Sequence, residues 1–63
     1  MKEYFAVWEV YSPNWVLVEK GYHFFMVRED EHLMAVVDDF CTNSAEARDI
    51  ATELFTVTSI QPI

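Results

Sequence analysis

The sequence predicts a small α+β domain: an antiparallel sheet of four to five strands with one helix, residues 44–55, packed on one face, in the order β-β-β-(β)-α-β. Three observations predict it. Residues 3 to 11 divide their side chains between two faces with the period of two of a strand, and further β-branched and aromatic runs follow up to residue 28, punctuated by turn chemistry. An apolar stripe of helical period runs through residues 44 to 55, and a β-branched segment follows it. With 63 residues the chain holds one domain, 1–63, and buries roughly 60% of its unfolded surface.

The first strand is EYFAVWEVY, residues 3 to 11, which places Tyr4, Ala6, Trp8 and Val10 on one face and Phe5, Val7, Glu9 and Tyr11 on the other. The former set is the expected core face. Ser12-Pro13-Asn14 is a turn, because proline presets φ and asparagine tolerates unusual backbone angles. A second strand follows in WVLVE, and Glu19-Lys20-Gly21, carrying the only glycine, reads as a hairpin with a bulge. YHFFMVR, residues 22 to 28, is the third strand, closed by the solvated turn Glu29-Asp30-Glu31.

Residues 32 to 41 read as a strand on their short, partly β-branched LMAVV run. The alternative is a helix, since Leu33, Val36, Val37 and Phe40 also fit the i, i+3, i+4, i+7 spacing. For residues 44 to 55, Asn43 caps while Glu46 reaches back as in a capping box, and Ala47, Ile50, Ala51 and Leu54 make the apolar stripe. VTSI, residues 57 to 60, is the last strand, ended by Pro62.

Eleven Asp and Glu stand against four Lys and Arg, a net charge of -7. That balance disfavours direct binding of nucleic acid, whose phosphates are held by Lys and Arg, and of anionic membranes. At 52% hydrophobic and 16% aromatic the chain folds rather than staying disordered. Cys41 is the only cysteine, so no intrachain disulfide forms and a reducing cytosol is the expected location, which the resemblance given below narrows to a bacterial host's cytoplasm. No apolar run approaches the ~20 residues of a membrane span, and no signal peptide is recognisable.

Catalysis finds no support. His23, His32 and Cys41 lie nine residues apart and match no zinc pattern of paired ligands. The adjacent Asp38 and Asp39 diverge in a strand or a helix alike, and no glycine-rich phosphate loop exists. The expectation is a protein with no enzymatic activity, cofactor or metal.

What remains is acid and aromatic surface. Glu46, Asp49 and Glu53 recur at helical spacing and form an expected negative ridge roughly 10 Å long opposite the apolar stripe. Glu29, Asp30, Glu31, Asp38 and Asp39 extend that field, giving carboxylates spaced rather like phosphates. An amphipathic helix with an ordinary solvated face is the plainer alternative, although only Arg48 interrupts the acids. Ten aromatics exceed what a two-layer core of this size hides, and Trp15, beside the turn, is the one most expected to be exposed.

The segment AVVDDFCTNSAEARDIATELFTVTSI, residues 35 to 60, resembles in layout the strand, helix, strand ending of small acidic bacteriophage proteins that shut down host enzymes. Among these are T7-type phage inhibitors of host RNA polymerase. Starting at Met and ending at Ile63, the chain has the look of a complete small reading frame. The resemblance covers under half the chain, and this chain lacks a strongly basic segment at either end. It implies an inhibitor that occludes the basic nucleic-acid channel of a host enzyme or a defence complex, by mimicry of DNA or by occlusion. Two alternatives come from another class: a homodimeric or accessory assembly module whose exposed strand edge or aromatic face pairs with itself or a larger protein, its acidity serving only solubility, and an acidic antitoxin.

Overall fold

The computed structural model describes residues 1–63 as β1 (Lys2–Tyr11), β2 (Leu17–Val27), α1 (Leu33–Arg48), a 3-10 turn (Thr52–Leu54) and β3 (Phe55–Pro62). The three strands form one antiparallel sheet in the order β2-β1-β3, with α1 lying across one face. The class is α+β, with three strands where four to five were expected.

The expected inner face of β1 is the observed one. Ala6, at 0% exposure, and Val10 are buried, and Tyr4 and Trp8 pack beside them. Phe25 and Val27 of β2 and Phe55 of β3 complete the sheet's contribution to the core. In β3 the pairing register slips between Val7 and Trp8, leaving Thr58 unpaired. That extra residue lets Val57 and Ile60, three apart, both pack against the core, while the Thr58 hydroxyl donates to the Val7 carbonyl at 3.4 Å.

The second and third strands expected on either side of Gly21 are a single strand, β2. Gly21 pairs directly with Trp8, and a Cβ placed on it would stand 2.3 Å from the Trp8 ring. The glycine is therefore there to admit an indole across the strand, and its backbone φ is not positive. The true hairpin lies between β1 and β2. Pro13 and Asn14 are its central residues, closed by the Trp15 N–H to the Ser12 carbonyl at 2.8 Å and the Ser12 N–H to the Val16 carbonyl at 2.9 Å.

Residues 33 to 41 are helical, not a strand, and the helix does not run from 44 to 55. The stripe Leu33, Val36, Val37, Phe40, Cys41, Ser44, Ala45 and Arg48 continues without a break, and all eight are buried or half-buried. Asn43 and Glu46, expected to cap a new helix, sit exposed within this one. Asp38 and Asp39 lie in its middle, away from the C-terminal end where acids would oppose the helix dipole.

α1 stops at Asp49, which adopts the left-handed conformation (φ 55, ψ 48). The Asp49 N–H bonds to the Glu46 carbonyl and the Ile50 N–H to the Ala45 carbonyl, both at 3.1 Å, the paired bonds of a Schellman ending. Ile50 then folds onto the core beside Ala45. Aspartate holds a position that glycine fills without strain, so Asp49→Gly is expected to stabilise the fold by about 0.5–1 kcal/mol. Thermal unfolding followed by circular dichroism would read this as a Tm rise of ~4 °C. A lower Tm would mean that the Asp49 side chain contributes more than its backbone costs.

Candidate interaction surfaces

All eight buried residues are apolar, and no buried side-chain polar atom lacks a partner. The interior therefore holds no group set apart for chemistry. Cys41 is half-buried at the core edge, and that burial, reinforced by the Asp38 carboxylate, pushes its thiol above the ordinary value. A thiol held protonated in this way is a poor nucleophile. No three of the His, Cys, Asp and Glu side chains gather as metal ligands. His23 stacks on Phe40 at 4.5 Å and meets the edge of Phe25 at 4.8 Å, so its ring serves packing. Two depressions, of ≈ 210 and ≈ 530 Å³, open at the end of the molecule where Met1, Lys2 and Tyr4 lie. No helix is long and apolar enough to cross a membrane.

The surface divides by chemistry. Of the eleven acids only Glu9 and Glu19 have a basic partner, Lys20 at 3.5 Å and Arg48 at 3.0 Å, and both belong to the sheet. The other nine are exposed. Eight of these, Glu29, Asp30, Glu31, Asp38, Asp39, Glu46, Asp49 and Glu53, belong to α1 and the segments at its two ends. Asp39 and Glu46 stand two turns apart, roughly 10 Å along the axis, on the side opposite the buried stripe.

The expected ridge through Glu46, Asp49 and Glu53 does not exist as a helical row. Glu46 is on α1, Asp49 is its left-handed terminus and Glu53 lies in the 3-10 turn beyond. Arg48, the base expected to interrupt the acids, is turned away from them. Its Nε and Nη2 each donate to a Glu19 carboxylate oxygen at 3.0 Å, and the guanidinium covers the Trp8 and Phe55 rings at 5.0 and 5.2 Å. These hydrogen bonds hold the Glu19 carboxyl below its usual pKa. Recruiting Arg48 to the sheet leaves the outer side of the helix without a positive charge.

Trp15 lies at the tip of the β1–β2 hairpin, 61% exposed, its ring 6.0 Å from Tyr11. The backbone there is left-handed, φ 60, which is costly for a bulky side chain and is the position such turns give to glycine. The exposed indole gains little burial to offset that strain. Trp15→Gly is expected to leave the fold intact, with stability higher by up to about 1 kcal/mol, while weakening partner capture. Melting and capture measured on one preparation check both halves. A destabilised variant would show that Trp15 serves the hairpin itself.

The sequence pointed to an aromatic face without assigning its residues, and the structure locates it on the far side of the sheet. No element covers it, and it presents Phe5, Val7, Tyr22, Phe24 and Met26. The signal was available: both alternating sets of β1 are apolar, so whichever set faces the helix, the other is left outside.

No protein-family model matches the sequence, and comparison with curated proteins and with solved structures finds no match.

Proposed function

We propose that this protein is a non-enzymatic inhibitor that binds, through its acidic helix layer, the basic nucleic-acid-binding surface of a bacterial enzyme or defence complex. It would act in the cytoplasm of the bacterial host, in the manner of the small acidic phage proteins that its sequence resembles. The layout on which that resemblance was read is, over residues 35 to 60, a helix, a 3-10 turn and a strand, so the reading rests on surface chemistry. The observation that carries it is the separation of charge. Eight acids without a basic partner crown one layer, and Arg48 is withdrawn from them. Such a surface speeds encounter with a basic groove through its field, and Trp15 slows release by burying an aromatic ring.

Converting Asp38, Asp39 and Glu46 to Lys tests the layer. All three side chains are exposed and lysine is a good helix former, so the fold is expected to survive. Affinity capture from a bacterial lysate, at low and moderate salt, should recover a nucleic-acid-handling protein with the natural chain, and added DNA should displace it. The triple variant should recover at least tenfold less, roughly 1.4 kcal/mol of binding. Undiminished capture by the variant would rule out the helix layer as the binding surface.

A further inference from the structure

We propose that the uncovered sheet face is a self-association surface, on which two copies stack sheet against sheet with their acidic helices turned outward. The patch is aromatic and organised. Tyr22, Phe24 and Met26 are 67%, 57% and 59% exposed, and Phe5 lies among them with ring separations of 5.9 Å to Tyr22 and 5.3 Å to Phe24. Tyr22 and Phe24 also meet edge to face at 6.0 Å. Toward the hairpin tip the apolar surface continues through Leu17 and Val18, both exposed.

Area favours an interface. A fully buried aromatic removes about 150–250 Å² from water, so these side chains together offer several hundred Å² of apolar surface. That is on the order of the ~800 Å² that each partner contributes to a standard protein interface.

Charge selects the occupant. Each chain carries -7, so two copies repel through most approaches. On the open face the ionic groups beside the patch are Glu9 and Lys20, which are paired with each other, with Glu3 standing across from Met26 at the far rim. This near-neutral face is where a second copy meets least repulsion, and a two-fold axis running along the strands between β1 and β2 would set each Lys20 toward the other copy's Glu9. Sheets pack about 10 Å apart and a helix adds about 10 Å on either side, so the two acidic layers lie roughly 30 Å apart, well beyond the ~8 Å screening length at physiological salt. A strongly basic partner would find no complementary charge on this face.

The inference does not depend on what the acidic layer binds, and its test is separate. Sedimentation equilibrium of the purified chain from low micromolar to near-millimolar concentration should show a monomer–dimer equilibrium that tightens as salt rises, because salt screens the repulsion while leaving apolar burial in place. Phe24→Glu should weaken the dimer by about 30-fold or more, the loss of an aromatic hot spot, with an unchanged circular dichroism spectrum. Met26→Lys, placed at the rim, provides the same reading should Phe24→Glu fail to fold. The lysine triple variant on the helix should still dimerise. A chain that stays monomeric throughout overturns the proposal, as does a dimer indifferent to both sheet-face variants. Capture of a different protein by a monomeric natural chain, lost with Phe24→Glu, overturns it in favour of a foreign partner.

Discussion

Phe40→Ala is expected to remove half or more of the domain's stability. The core consists of two clusters, one around Ala6, Phe25 and Val27 and the other around Val10, Ala45 and Phe55. Phe40 is the one side chain packed against both. Its ring meets Phe25 edge on at 5.0 Å and Phe55 at 5.5 Å, and His23 lies over it. Truncating a core phenylalanine to alanine costs about 3–5 kcal/mol, through lost transfer energy and the cavity left behind. A domain of this length has roughly 3–9 kcal/mol in total. Urea titration followed by circular dichroism should show the midpoint falling by half or more, or no folded baseline. A loss below about 1 kcal/mol would mean that the two clusters are held together by other contacts. Phe40→Leu, which keeps most of the volume, should cost about 1–1.5 kcal/mol.

Gly21→Ala should also destabilise, against the usual sign. Within a strand, replacing glycine by alanine ordinarily gains about 0.5–1 kcal/mol, because glycine has more backbone freedom to lose. Here the new methyl would stand 2.3–2.8 Å from three carbons of the Trp8 ring. That ring cannot simply swing aside. Phe55 stacks on it at 5.2 Å, and the Arg48 guanidinium covers it while hydrogen bonded to Glu19. The expected net cost is about 1–3 kcal/mol, the range for overpacking. A double-mutant cycle with Trp8→Leu isolates the cause: once the indole is gone, Gly21→Ala should cost little or turn favourable. A cost that persists in the Trp8→Leu background would place the strain in the backbone of β2.

These two residues also show what the sequence could and could not disclose. Where the determinants were local, the reading was sound. The period of two in β1 identified Ala6 and Val10 as core, and Pro13-Asn14 marked the hairpin. Gly21 was misread because glycine signals a turn locally, whereas its role is set by Trp8, which is distant in sequence and opposite in the sheet. The helix was legible in outline, since Leu33, Val36, Val37 and Phe40 fit its spacing. Its extent was not, because Asn43 and Glu46 imitate a beginning and its end at Asp49 lacks the glycine that usually marks one. The acidic row followed the misplaced helix and failed with it. The exposure of Trp15 was legible because a turn exposes what it carries, independently of the fold around it.

The sheet order has a consequence for how the chain is made. Residues 55–62 pair with β1, so the central strand has one neighbour close to it in sequence and the other more than forty residues on, and the Ile63 N–H bonds to the Glu3 carbonyl at 3.0 Å. Synthesis runs from the N-terminus, so the β1–β2 hairpin emerges first and waits with one backbone edge of β1 open. The core closes only after residues 55–62 have left the ribosome. Until then Ala6 and Val10 lack the cover of Ile60 and Phe55, their partners across the strand, and a chain that stops before residue 55 is an unfinished sheet with a sticky central strand.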